Sequence, residues 1–206
     1  MDQSLPISQS GSRRLHRTFY DLCCCAPRRS VGSGIEMIDC DLTNFDHLSD
    51  TEARRLGVLP ANVCVTVRHP PGRPVRGAVI VNSLGWSIVG SELAACVQQK
   101  CGDDVELVEI PIYTQEGLPL AKRFFIINPL RALDVISETK TVRARTLIGS
   151  SRPVLRLAII ASKVPEDVHI FRVLGWRFAL LIDDVIKNAL SKFSRDGLTF
   201  LPVEQE

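Results

Sequence analysis

No stretch of this chain approaches the roughly 18–20 uninterrupted apolar residues that a membrane-spanning helix needs. Net charge is also nearly absent. Twenty-five Lys+Arg against 23 Asp+Glu leave +2 over 206 residues, too little to mark a nucleic-acid or membrane binder. The opening MDQSLPISQSGSRRLHR places no apolar segment behind its positive charges, so a signal peptide is not expected and a cytoplasmic location is. The seven cysteines are Cys23, Cys24, Cys25, Cys40, Cys64, Cys96 and Cys101. An odd count in a chain of this length does not suit a secreted disulfide framework, and reduced thiols are expected.

Signatures for common chemistries are missing too. Gly32-Ser33-Gly34 lacks the remaining glycine and the apolar helix of a phosphate-cradling loop, and reads as a turn. Cys23-Cys24-Cys25 is the most conspicuous local run. Consecutive residues of a strand face opposite ways, so three together grip one ion poorly. No second Cys or His pair stands at zinc-site spacing, and buried or half-buried thiols are the expected reading. Nothing local assembles His16, His47, His69 or His169 with a nucleophile. Asp103-Asp104 and Asp183-Asp184 fall at helix ends, where capping explains the second pair. No catalytic, cofactor or metal residue is therefore assigned, and partner-binding residues cannot be named.

What is present is enough apolar sequence, 45%, to bury a sizeable core. Residues 1–15 are rich in Ser, Gln, Gly, Pro and Arg and read as a loose arm, leaving 16–206 as a single domain. Expected strands are Arg17–Leu22, Ile35–Ile38, Val63–Val67, Val79–Val81, Trp86–Val89, Val105–Ile110, Phe124–Ile127 (ended by Asn128-Pro129), Val154–Ile160, His169–Leu174, Trp176–Leu181 and Leu198–Val203. Leu133–Ile136 is a weaker candidate element. Three helices are expected. One runs over Ser49–Gly57 and stops at its glycine. One is capped by Ser91, with Leu93, Ala94, Val97 and Cys101 inward and Gly102 at its end. The third is capped by Asp183 and carries Val185, Ile186, Ala189, Leu190 and Phe193 on one stripe. The class is α/β (α+β), a mixed sheet with few helices.

One pattern occurs twice. Gly85-Trp86 and Gly175-Trp176 hold the only tryptophans. Each is followed by an apolar strand, a helix, a Gly beside Asp, and a strand with a late proline, Pro111 or Pro202. This reads as a duplicated strand–helix–strand unit with the tryptophans as core anchors. The bland alternative, that any α/β chain offers two such segments, stays open.

Several segments together resemble a known family. VIVNSLGWSIVGSELAACV supplies a strand-to-helix step at Val89-Gly90-Ser91. Phe124-Phe125-Ile126-Ile127-Asn128 leads to Leu133-Asp134 and Ser137. Ile170-Phe171-Arg172-Val173 is followed by a close at Gly197-Leu198-Thr199-Phe200-Leu201-Pro202-Val203. This order, from about Val79 to Val203, is similar to a bacterial polymorphic-toxin immunity family, immunity family eleven, formerly a domain of unknown function. Two departures are the glycine between Val89 and Ser91, and Asp183 where Ser is the usual cap. The resemblance implies a cytoplasmic antidote that binds and neutralises a cognate toxin stoichiometrically, without cofactor, nucleic acid or membrane, and compatible with a homo-oligomer. The family offers no catalytic residue to carry over. Candidate contact regions are the Pro70–Pro74 loop, the basic arm (Arg13, Arg14, Arg17, with Arg28 and Arg29, otherwise a solvated face) and Ser137–Pro153. Two alternatives remain: a cysteine-dependent enzyme near Cys23–Cys25, and a nucleic-acid or regulatory binding module using the basic arm.

Overall fold

The structure, a computed structural model, describes residues 17–24, 35–40, 53–68, 78–82, 85–145 and 154–206. They form an α+β architecture of two mixed sheets and two α-helices. The first sheet contains β2 (Ile35–Cys40), β3 (Val65–Arg68), β4 (Val79–Val81), β5 (Ile88–Gly90), β6 (Val105–Ile110), β7 (Ile112–Thr114) and β8 (Phe124–Pro129), ordered β6-β8-β5-β4-β2-β3-β7. The second contains β1 (Phe19–Cys24), β9 (Ala132–Leu133), β13 (Ile170–Val173), β14 (Trp176–Asp183) and β15 (Leu198–Pro202), ordered β15-β1-β14-β13-β9. Two short pairs lie outside these sheets: β10 (Val142–Arg143) with β11 (Val154–Arg156), and β12 (Ala158–Ile159) with β16 (Glu204–Gln205). The helices are α1 (Ser91–Cys101) and α2 (Asp184–Leu190).

The duplicated sequence unit has a duplicated topology. β5 and β6 each run antiparallel to β8 between them, so they are parallel to one another with α1 as the crossover. β14 and β15 likewise flank β1, with α2 as the crossover. β4 forms an antiparallel pair with β5, and β13 with β14. The next neighbours, β2 and β9, are parallel to β4 and β13. Five strands thus match in order and direction. Gly85 and Gly175 precede the two tryptophans with φ of 74° and 76°, a left-handed backbone that costs a residue with a Cβ about 1–2 kcal/mol. The copies differ in one respect. β8 follows β6 along the chain, whereas β1 enters the second sheet from far upstream, with Tyr20 bonding Asp184 across 164 positions.

The late prolines are explained by the hydrogen-bond alternation of antiparallel pairs. Leu130 N–H donates to the Asp104 carbonyl, so Glu106, Val108 and Ile110 are the positions of β6 that bond β8. Val105, Leu107, Glu109 and then Pro111 face the other way. Val203 N–H donates to the Phe19 carbonyl, which by the same alternation turns Pro202 outward from β15. Both prolines sit at a sheet edge where no ladder donor is lost.

Three cores result. Between the sheets, Val89 and Ile127 from the first and Ile170 and Ile182 from the second meet Leu93 and Val97 of α1 and Ile186 and Leu190 of α2. The far face of the first sheet buries Trp86, Ile88, Val108 and Phe124, with Leu56 and Leu59 packed over them. The far face of the second buries Phe171 and Leu181, and Phe19 meets Phe171 edge-on at 5.8 Å between ring centres. Each such side chain, fully buried, contributes about 1.5–3 kcal/mol. Trp86 is a core anchor as expected, whereas Trp176 is only partly buried against the third core.

Several expectations are corrected. The described part of the Ser49–Gly57 helix, from Ala53, is not helical. Its amides at Leu56 and Gly57 donate instead to the Glu106 carboxylate, at 2.6 and 2.9 Å, and the Arg54 carbonyl accepts from Asn128. Ser91 is the first helical residue and not the cap; Gly90 takes that place with no side-chain bond. A Cβ on Gly90 would meet only the flexible end of the Lys122 side chain, at 2.8 Å, and nothing in the structure requires glycine there. Asn128-Pro129 continue β8, because the Pro129 nitrogen faces away from β6. Leu133–Ile136 supplies only β9 and a bridge from Ile136 to Ile159. The Val154–Ile160 strand is two strands broken at Leu157. Val185 is exposed, and Phe193 belongs to the 3₁₀ turn after α2. Gly102 ends α1, as expected, and Gly197 ends the 3₁₀ turn after α2, both with positive φ. The Pro70–Pro74 loop, Cys25, Arg13, Arg14, Arg28, Arg29 and residues 146–153 lie outside the described residues. No helix among the described residues is long and apolar enough to cross a membrane.

Candidate functional site

The strongest polar cluster grows from the cap of α2. Asp183 is extended at the end of β14, so its Oδ1 reaches the otherwise orphaned amides of Val185 and Ile186 at 3.0 and 3.2 Å. This is the N-cap that the sequence predicts. Its Oδ2 accepts from an Arg17 guanidinium nitrogen at 3.0 Å and contacts His169 Nδ1 at 2.7 Å. The Asp183 side chain is 2% exposed, so this carboxylate is fully enclosed by partners. Asp184 extends the cluster by accepting from the Thr18 amide at 2.7 Å and the Tyr20 hydroxyl at 3.2 Å. Arg17 also donates to the carbonyls of Pro165 and Val168. Lys187 of α2 lies 4.8 Å over the Tyr20 ring.

An Asp–His contact is half of a catalytic relay, which also needs a nucleophile on the second imidazole nitrogen. Among the described residues no Ser, Thr or Cys bonds that nitrogen. The arrangement instead fastens β1 to β14 and α2. Arg17, read from the sequence as part of the basic arm, belongs to this clamp and not to a solvated face. His169, which no local pattern joined to a partner, contacts Asp183. The sequence did not pair Arg17 with Asp183, because they are separated by almost the whole chain.

Cysteine chemistry finds little purchase. Burial, reinforced by the negative charges of Asp183 and Asp104 and by Cys96, pushes the Cys101 thiol up to about 12, well above the range where a thiolate forms near neutrality. Cys23 faces Asp21, whose carboxyl is pushed up to about 6 by burial, against the opposing hydrogen bonds from the Leu180 amide and Cys23. No group of three His, Cys, Asp or Glu placed to hold a metal occurs among the described residues.

A second locus lies along the outer edge of β6. Burial alone would raise the Glu106 carboxyl. Bonds from the Leu56 amide, Asn128 and the Gly57 amide, with the charge of Arg55, hold it below its usual range instead. These bonds suspend the segment 54–61 beside β6. The space left between them is an open, mostly apolar groove of about 350 Å3, lined by Val58, Leu59, Pro60, Leu107, Glu109 and Pro111. Val58 is 96% exposed. At the rim Glu109 is paired with Arg123, whose Nε lies 2.7 Å from Oε1. Leu107 and Glu109 are both outward positions of β6, and no other described residue bonds their amides or carbonyls.

The chain matches no known family model and no curated protein sequence. The site is therefore read on its own geometry. Of the contact regions expected from the sequence, Arg17 of the basic arm and the start of Ser137–Pro153 are described. Ser137 is fully buried there, and its hydroxyl and that of Thr139 donate to Glu206, so this start is tied to the rest of the protein. The groove beside β6 was not foreseen. Its only sequence signal is the near-alternation of VELVEI bounded by Pro111, which marks an edge strand without showing what runs beside it.

Proposed function

We propose that the protein is a cytoplasmic immunity protein that binds one bacterial toxin and blocks it stoichiometrically. The reading rests on the ordered resemblance from Val79 to Val203. It is supported by one structural observation: the carboxylates of Asp183, Asp184 and Glu106 are engaged in holding backbone. Asp183 and Asp184 bind the amides of Val185, Ile186 and Thr18, and Glu106 binds those of Leu56 and Gly57. A rigid scaffold whose polar groups are consumed internally suits recognition by shape, with specificity at its surface. The open groove at β6 has an apolar floor and a backbone rim, which fits a protein surface better than an enclosing small-molecule pocket.

The test is co-expression with the toxin encoded by the adjacent gene. The expected result is restored growth and a complex of fixed stoichiometry on size-exclusion chromatography. Continued toxicity together with no complex refutes the reading. Rescue by sub-stoichiometric amounts of this protein would also refute it, since a stoichiometric binder cannot turn over.

A further inference from the structure

We infer that the slot between β14 and β15 is a strand-binding site that takes residues 17–24 as its ligand and does not need their covalent join to β2. The duplicated topology carries this inference, and the immunity reading does not enter it. In the unit β5-α1-β6, the end of the edge strand lies beside the start of the middle strand, Ile110 opposite Phe124, and residues 111–123 join them. In the unit β14-α2-β15 the same two ends also meet. Pro202 lies opposite Tyr20, and the Val203 amide donates to the Phe19 carbonyl at 3.0 Å. Here nearly the whole chain separates them in sequence. β1 thus fills the place of β8 from the front of the chain, the relation that a circular permutation produces.

The slot has the parts of a site for an extended peptide, namely backbone ladders for affinity and side-chain pockets for specificity. β14 pairs with Phe19–Asp21 on one side, and β15 pairs with Tyr20–Cys24 on the other. Side chains enter two apolar cores by turns. Phe19, 1% exposed, fills the far face of the second sheet, and Leu22, 4% exposed, fills the core between the sheets. The mouth of the slot is polar. Arg17 donates there to the carbonyls of Pro165 and Val168 and to the Asp183 carboxylate. Asp184 accepts from the Thr18 amide and the Tyr20 hydroxyl. This fixed order of groups selects a segment of the form Arg-x-Phe-Tyr-x-Leu.

Every partner in this set belongs to residues 165–203, and none belongs to β2, which lies in the other sheet. The strand is held by its two neighbours and by the mouth of the slot. Its join to β2 then contributes local concentration, about millimolar for a short linker, and no bond that shapes the site.

The experiment starts from the folded full chain with a protease site placed within residues 25–34. The protein is cut there and run on size-exclusion chromatography, alone and with a labelled synthetic peptide of residues 17–24 at about 1 mM, the concentration a short linker supplies. The expected result is that the fragment holding β1 stays with the remainder, and that the labelled peptide replaces it on incubation. A peptide carrying Arg17→Ala should compete about tenfold to a hundredfold less well, the range for hydrogen bonds to a charged group. In parallel, a permuted chain of residues 25–206 followed directly by 1–24 loses no residue. It should fold with the Tyr20 and Asp21 amides protected from hydrogen exchange as in the natural order. Loss of the fragment on cutting, with no rebinding of the peptide, overturns the site. Equal uptake of a scrambled peptide overturns it too, as does a permuted chain that folds with those two amides exchanging freely. Should the permuted chain fail to fold, the cut protein decides alone.

Discussion

Replacing Asp21 with Asn should make the protein more resistant to unfolding at neutral pH and leave it little changed in acid. Asp21 lies in the middle of β1, flanked by Leu181 of β14 and Leu201 of β15. Its only compensating bonds come from the Leu180 amide at 3.3 Å and from Cys23. Burial pushes its carboxyl from 3.8 to about 6. A carboxyl raised on folding binds its proton more tightly in the folded state. Stability is then fully present below the unfolded value and declines as pH rises through the folded one. At about 1.4 kcal/mol per tenfold change, the interval corresponds to about 3 kcal/mol lost between about pH 3 and pH 8. The amide of D21N does not titrate, and its fixed burial cost cancels when the two proteins are compared across pH. The stability difference, variant minus wild type, should therefore grow by about 3 kcal/mol over that range. For a chain of this size that is about 6–12 °C in melting temperature. Urea unfolding of both proteins at half-unit pH steps measures it directly. A difference that stays flat from pH 4 to 7, or that shrinks, would refute the claim that an ionised carboxylate is confined inside the second sheet.

Asp183→Ala removes the cap of α2 and leaves Arg17 without its carboxylate, so a loss of about 3–5 kcal/mol is expected in urea unfolding. Asp183→Ser should recover only the cap, about 1 kcal/mol of that; full recovery would show that Arg17 and His169 contribute nothing. Glu106 has the opposite pH signature to Asp21. Its folded value is depressed below 4.5, so Glu106→Gln should cost about 1–3 kcal/mol at pH 7, and the penalty should vanish as pH falls through that lowered value. Gly85→Ala and Gly175→Ala should each cost about 1–2 kcal/mol, since both occupy the same left-handed step before tryptophan. A cost at only one of them would separate the two hairpins that topology equates.

Local chemistry made much of this fold legible in the sequence. VCVTV, VELVEI and FFII form strands because β-branched and bulky side chains suit a half-buried pleat. Asp183, Gly102 and Gly197 act at helix ends through bonds to near neighbours or through their own φ. The repeated Gly-Trp step was visible because both copies keep the residues that the turn and edge require. What failed did so through distant partners. Residues 53–57 have helical composition, but Glu106 and Asn128 bind the backbone groups a helix would have used. Ser91 has the chemistry of a cap, yet its backbone is already helical and the cap position falls on Gly90, which has no side chain to offer. The clamp of Arg17, Asp183 and His169 joins residues that no local pattern associates. The β6 groove depends on a segment suspended by a side chain roughly fifty residues away in sequence, a relation no periodicity encodes.

The entry of β1 between β14 and β15 has a consequence for how the protein is made. During synthesis β1 leaves the ribosome long before both strands that flank it and the helix that clamps it, which follow from Trp176 onward. The first sheet has all its strands by Pro129 and is free to assemble, whereas the second lacks its centre until β14 and β15 have followed. The strand FYDLCC, with its cysteines, must wait unpaired through that interval. Non-local pairing of this kind folds slowly and leaves strand edges open to misassociation. Slowing translation between Pro129 and Pro202 should therefore harm the yield of folded protein more than slowing it before Pro129, with the second sheet as the part that fails.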